Sequence, residues 1–273
     1  CKDWLTNKVD RSVTGRVARQ QCQGALQLPL SDCGVVSIDF TGRRGIATSI
    51  GHAPQAALCD AVAGSRMAIA EALTNIVGAD SVAGLRSVSL SANWMWPCRN
   101  PGEDAALYRA VESCSEFACA LGVNIPTGKD SLSMTQKYPD GRRVMAPGTV
   151  IISAAAPVRD IRRTLSPVLV QKKSSTLYYI DFAGDTLRLG GSALAQTMGL
   201  VGNKAPEVDA VTLAHAFGAV QTIVRMRKAL AMHDVSAGGL VTTLLEMAFT
   251  NTSGGLEIDL SEMAGSMGGD LVS

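Results

Sequence analysis

Short apolar runs alternate with longer stretches of helical periodicity along the chain. The first clear run, Gly34-Val35-Val36-Ser37-Ile38-Asp39-Phe40, is followed by the polar Thr41-Gly42-Arg43-Arg44 and a second run from Gly45 to Ile50. Two β-prone runs around a polar, Gly-containing turn predict a hairpin. From Asp60 to Val77 the period lengthens, with Val62, Ile69, Leu73 and Ile76 close to one stripe at helical spacing. Ser87 to Asn93 reads as a strand. Glu103 to Leu121 reads as a second helix, with Leu107, Val111, Cys114 and Ala118 on its apolar face and Gly122 as its stop. Gly122 to Pro126 and Gly148 to Pro157 are further strand candidates.

The character changes between Val158 and Ser175, where an Arg-rich stretch, Pro167 and Lys172-Lys173-Ser174-Ser175 mark a crossing between two units. Beyond it the pattern predicts a strand over Leu177–Phe182, helices over Gly191–Met198, Glu207–Leu230 and Gly239–Phe249, and a strand over Leu256–Leu260. The predicted class is therefore α/β (α+β), with an N-terminal sheet domain over 1–166 and an incomplete αβ domain over 167–273. A chain that starts at Cys1 and stops just past Gly268-Gly269 reads as a piece of a longer polypeptide.

Composition narrows the function classes. Of 273 residues, 47% are hydrophobic and 18% charged, enough apolar surface for a sizeable core and against disorder. Lys plus Arg number 25 against 24 Asp plus Glu, so the formal charge of +1 gives no electrostatic footprint for nucleic acid or an anionic membrane. Neither a membrane-length apolar run nor a secretory leader is visible, and the cytoplasm is the expected location. The seven cysteines lack C-x-x-C spacing and the three histidines are far apart, which predicts buried reduced thiols rather than disulfides or a zinc site.

Three segments carry candidate chemistry. In Ser65–Asn75, Glu71 and Asn75 lie four apart, so a helix projects both oxygen donors from one face, an arrangement that suits Mg²⁺. Spacing alone favours the plainer reading, a solvated polar face. Ser31-Asp32, between an apolar run and the first strand, places a carboxylate at a chain turn, where it binds a cation or caps turn amides. His233-Asp234-Val235-Ser236-Ala237-Gly238-Gly239-Leu240 passes through a Gly-rich turn into a helix. There backbone amides can approach an anion while Asp234 holds its metal; the alternative is a plain connection with Ser236 as helix cap and His233 as a satisfied structural histidine. Thr127-Gly128-Lys129-Asp130-Ser131 and Leu189-Gly190-Gly191-Ser192 fail the Walker spacing; the first suggests a Lys129–Asp130 ion pair, the second an anion site opening a helix.

Taken together, Asp10–Arg19, Leu28–Cys33, Glu71–Asn75, Leu90–Met95, Ile125–Met134 and His233–Leu240 give the chain a resemblance to the large, glutamine-dependent phosphoribosylformylglycinamidine synthase family, along nearly its whole length. The last string alone is shared with relatives such as aminoimidazole ribonucleotide synthetase. The resemblance implies the second half of a tandem synthetase core. It implies Lys2, Ser31 and Ser236 as contacts to ATP or ADP, and Asp32, Glu71, Asn75 and Asp234 as Mg²⁺ ligands. It further implies a purine-biosynthesis ligase that draws ammonia from a glutamine amidotransferase domain, with the first half and the glutaminase outside this chain, an inactive fragment, and pairing of its sheet with a homologous sheet or a second copy. Ala237 stands where family members often carry Asp. Two alternatives stay open: a non-catalytic Mg-nucleotide scaffold half, or another ATP-dependent enzyme of the same fold.

Overall fold

The computed structural model describes residues 15–172, 174–182 and 188–261. The β-prone runs form one six-stranded sheet. In chain order its strands are β1 (Val17–Arg19), β2 (Gly34–Ser37), β3 (Gly45–His52), β4 (Ser89–Met95), β5 (Asn124–Ser131) and, after a small separate hairpin of β6 (Thr135–Lys137) and β7 (Arg143–Met145), β8 (Thr149–Val158). Their spatial order is β1-β2-β3-β8-β4-β5. All neighbours are antiparallel except β4 and β5. That parallel pair needs a long crossover, and the 19-residue helix between the two strands supplies it. The predicted hairpin is present, with Ser37 opposite Gly45 at its mouth, although the first strand stops at Ser37. Asp39 explains the early stop: its carboxylate accepts from Arg43 N (3.2 Å) and Arg44 N (2.8 Å) and bends the segment into a loop.

Among the described residues six α-helices accompany the sheet. They are α1 (Pro54–Cys59), α2 (Ala61–Ile76), α3 (Glu103–Leu121), α4 (Ala193–Thr197), α5 (Ala210–Arg225) and α6 (Gly239–Phe249). Asp60 opens α2 by accepting from Val62 N at 2.8 Å and Ala63 N at 3.4 Å. Its apolar stripe, Ile69, Leu73 and Ile76, is buried against the sheet as the periodicity predicts. The approach is close: a Cβ on Gly51 of β3 would lie 2.2 Å from Ala72 N, so only glycine lets the helix lie on the strand. Helix α3 closes on Gly122 in the left-handed region (φ 69°), as expected. Its buried face runs through Ala110, Cys114, Phe117, Ala118 and Leu121, whereas Val111 stays 42% exposed. The predicted stripe was thus rotated slightly from the true one.

Helix α5 contributes to the same core although it follows residue 167. Leu213 and Phe217 pack with Val208 into the cluster formed by α2, α3 and the sheet. One turn on, buried Gln221 fixes the loop after α2: Ser81 N (3.1 Å) and Ser81 Oγ (2.7 Å) donate to its Oε1. Its Nε2 donates to the carbonyls of Val77 (2.6 Å) and Ala79 (2.7 Å). Fully buried Asp80 pairs with Arg163 at 3.4 Å and with Arg225 of α5 at 3.5 Å.

Several expectations require correction. Residues 177–182 and 256–260 form no strand. A strand is stabilised by a neighbouring ladder, and among the described residues neither segment has one; Tyr178 is 83% exposed. The helix predicted to reach Leu230 ends at Arg225, because Arg227 turns left-handed (φ 55°) without glycine's help. The helix predicted over 191–198 is the short α4. Of the six described cysteines, only Cys33 and Cys114 are buried; Cys22, Cys59 and Cys98 are half-buried and Cys119 is exposed. Cys1 lies outside the described residues. Among the described residues no helix is long and apolar enough to cross a membrane.

Candidate metal and phosphate site

Asp32 sits in the bend just before β2. The preceding loop is held in place from the far end of the chain: Ala25 N donates to Thr250 O at 3.2 Å, and Ser166 Oγ bonds Gln23 Oε1 at 3.0 Å. Arg19 Nη2 donates to Thr164 O at 2.6 Å. Met232 N in turn donates to Ser166 O at 3.0 Å, which lays the 232–234 segment alongside. These ties bring Asp32 to His233 across 201 positions of sequence.

The result is a compact buried cluster. His233 Nδ1 lies 2.5 Å from Asp32 Oδ1 and 3.6 Å from Asp234 Oδ1, with the three side chains 7%, 8% and 5% exposed. On the other side of the ring, Nε2 is 3.1 Å from Glu246 Oε2 of α6. Glu71 of α2 faces the cluster closely enough that its charge acts on Asp234. Its own Oε2 accepts from His52 N at 3.2 Å.

Electrostatics follow from this crowding. Burial raises the Asp32 carboxyl, against the hydrogen bond and charge of His233. Burial, then the charge of Asp32, with a further contribution from Glu71, pushes Asp234 up to about 7, against His233. Burial also raises Glu71. For His233 burial acts downward, but the hydrogen bond and charge of Asp32, followed by Asp234 and Glu246, outweigh it and push the imidazole up to about 9. Both ring nitrogens face carboxylate oxygens. Carboxyls crowded into so small a buried volume disfavour one another's charged forms. A small divalent cation would offset that repulsion: the ligand atoms of Asp32, His233 and Asp234 lie within 4.8 Å of one another, and carboxylate oxygens are hard donors of the kind Mg²⁺ prefers.

The other sequence candidates divide. Asn75 follows Glu71 on α2 and donates from Nδ2 to Ile50 O at 3.1 Å. Ser31 is next to Asp32, and its Oγ donates to Cys33 O at 3.0 Å. Ser236 is exposed and does not cap α6. The N-cap is Gly238 (φ 93°), which offers no side-chain cap, and the first helical amide, Gly239 N, donates to Ser236 O at 3.0 Å. Lys2 lies outside the described residues.

The weaker phosphate candidates lose ground. Ser192 Oγ accepts from Ala195 N at 3.1 Å and thereby caps the five-residue α4 itself. Lys129 Nζ donates to Ser131 Oγ at 2.9 Å rather than pairing with Asp130, because adjacent strand residues point to opposite faces. Glu246, Thr243 and His52 were missed by the sequence reading. Glu246 had a signal, as the one charged residue in the apolar helix Gly239–Phe249.

The comparisons with known proteins agree with this architecture. The family described as FGAR-AT PurM_N-like domain matches residues 1–157. The AIR synthase related protein, C-terminal domain, matches residues 178–268. Human phosphoribosylformylglycinamidine synthase is 45% identical over 261 residues, covering 95% of this chain and 19% of its own length. The chain thus spans about a fifth of that relative. Two Thermotoga maritima structures share the fold. PurL complexed with FGAR is 14% identical with a TM-score of 0.59, over 83% of this chain and 34% of its own. PurLQS is 13% identical with a TM-score of 0.54, over 84% of this chain and 32% of its own. With a sheet, a helical layer and a family match that extends over more than half of its residues, the chain belongs to the FGAR-AT PurM_N-like domain family.

Proposed function

We propose that the chain is part of a phosphoribosylformylglycinamidine synthase and contributes a Mg-nucleotide site to its core. The observation that carries this reading is the meeting of Asp32 with His233 and Asp234, whose ligand atoms lie within 4.8 Å of one another, with Glu71 near enough for its charge to act on Asp234. In this reading Asp32, Glu71, Asn75 and Asp234 hold Mg²⁺. Ser31, Ser236, Lys2 and the first amides of α6 contact the phosphates of ATP or ADP. Bound Mg²⁺ would neutralise phosphate charge and polarise the transferred phosphoryl group. The chain's own residues position that ion and exclude water from one side of it.

The whole enzyme would use ATP to activate the formyl amide oxygen of formylglycinamide ribonucleotide. Ammonia released from glutamine then displaces phosphate to give the amidine, with ADP, phosphate and glutamate as the other products. The 45% identity to the human enzyme supports this assignment. We assign residues 1–166 to the sheet domain and 167–273 to a partial αβ domain. The missing partners are the first half of the core and a glutaminase domain, and the isolated chain is expected to be inactive without them. The outer face of the sheet, with Ile50 57% and Ile46 39% exposed, is assigned to a homologous sheet or a second copy of this chain. We place the protein in the cytoplasm, in keeping with its reduced thiols.

A scaffold role is the competing reading, in which Mg-ADP serves to hold the halves together. Both are tested by thermal unfolding with Mg²⁺ plus ADP against Mg²⁺ alone. At ~100 times its dissociation constant a ligand adds about 2.7 kcal/mol to the native state. The expected result is a rise in the parent chain that is absent from Asp32→Ala and Glu71→Ala. No rise in the parent overturns a self-sufficient site.

A further inference from the structure

We propose that His233 is a positioning residue for the metal site, holding the Asp32 carboxylate in its ligating orientation while α6 anchors the imidazole through Glu246. The inference rests on the reading of Asp32 and Asp234 as metal ligands and goes beyond it, because it assigns a role to two residues that touch neither nucleotide nor metal.

Asp32 and Asp234 come from opposite ends of the chain, so their separation is not set by either local backbone. His233 bridges them physically. Its Nδ1 is 2.5 Å from Asp32 Oδ1, which holds one carboxylate oxygen, while Asp234 also hydrogen-bonds directly to the Asp32 carboxyl. Its Nε2 is 3.1 Å from Glu246 Oε2, which stops the ring from rotating. Both ring nitrogens of His233, whose side chain is 7% exposed, meet carboxylates from different parts of the chain, with the Asp234 carboxylate beside them. The clamp also has a common base. Thr243, three residues before Glu246 and so on the same face of α6, donates from Oγ1 to Asp234 O at 3.2 Å. One helix face therefore sets the backbone of Asp234 and, through His233, the side chain of Asp32. Outer partners of metal-ligating carboxylates commonly govern metal affinity by about 10–100-fold.

The test is Mn²⁺ binding to the 1–273 chain, read from the electron paramagnetic resonance signal of free Mn²⁺. The variants are His233→Asn, His233→Gln and Glu246→Ala. Asparagine places an N–H near the Nδ1 position and keeps the bond to Asp32; glutamine reaches the Nε2 position and loses it. Expected is a dissociation constant raised about 10–100-fold in His233→Gln, and about threefold or less in His233→Asn and Glu246→Ala, on the order of a lost anchor rather than a lost contact. Equal effects of Asn and Gln, accompanied by equal loss of stability to urea, would reduce His233 to a structural residue and overturn the proposal. Tight binding in the parent that His233→Gln leaves intact overturns the positioning role alone. No binding in the parent overturns the metal reading and this inference with it.

Discussion

The region before residue 167 and the region after it use similar apolar content in different ways. In the first, Leu73, Leu90 and Ile152 are buried between α2 and a six-stranded sheet, while Ile46 and Ile50 are exposed on the sheet's outer face. In the second, α5 gives one face to that same core, while Val241, Leu245 and Phe249 of α6 remain 61%, 47% and 52% exposed. An amphipathic helix is stabilised chiefly by what covers its apolar stripe. The difference shows that secondary structure can form ahead of the layer meant to cover it: helices close their own hydrogen bonds, whereas the strands expected at 177–182 and 256–260 require neighbours.

The largest expected effect follows directly. Leu73→Ala, at a fully buried position, should cost about 3 kcal/mol of stability to urea through lost burial and the cavity left behind. Leu245→Ala should stay within about 0.5 kcal/mol, since little is packed around it. Equal costs at the two sites would mean that α6 is covered in solution and that the contrast is false.

Much of the first region was legible because its elements are long and periodic. The α2 stripe, the left-handed stop at Gly122 and the presence of the hairpin, though not the end of its first strand, follow from local chemistry. The β6–β7 hairpin carried a signal that went unread, Pro139-Asp140-Gly141, where Arg142 N donates to Asp140 Oδ1 at 3.0 Å and Gly141 takes φ 85°. Other features had no local signal. Arg227 ends α5 in a conformation usually taken by glycine, and Gln221 looked like one more polar residue on an amphipathic helix. At the site, Asp32, Glu71, Asn75 and Asp234 were chosen as oxygen donors, but the contact between Asp32 and His233 depends on tertiary ties no spacing encodes. Glu246 was the legible omission, as a lone charge in an apolar helix.

Gln221 sharpens the comparison at the seam between the two regions. Gln221→Leu preserves volume but leaves the Val77 carbonyl and the Ser81 hydroxyl without their buried partner, while Ser81 N and Ala79 O keep the bond between them at 2.8 Å. Unsatisfied buried groups of this kind cost about 1–3 kcal/mol each, partly offset where the loop shifts toward water. The expected net loss is about 2–3 kcal/mol, with α5 amides exchanging hydrogen faster than those of α2. Uniform exchange in both helices would show that α5 belongs to one cooperative unit with the sheet and that the seam is not a boundary of stability.

The smallest effect on stability is expected on the outer face of the sheet, and there it separates ordered exposure from incomplete folding. Ile46 and Ile50 project from alternate positions of β3 toward solvent, opposite Pro157 and Ser153 of β8. Two isoleucines on one regular strand face, with Thr48 between them, suit a second sheet better than the side chains of α6 do. Ile50→Lys removes only exposed surface, so the urea midpoint should shift by no more than about 0.5 kcal/mol equivalent. The same change places a charge at the centre of any sheet-to-sheet contact, where desolvation opposes association. The parent chain should therefore sediment with a concentration-dependent mass and Ile50→Lys as a monomer, whereas Leu245→Lys should leave self-association unchanged. If the α6 variant is the one that abolishes association, the exposed helix rather than the sheet is the interface, and the incompletely covered region is the one that recruits a partner.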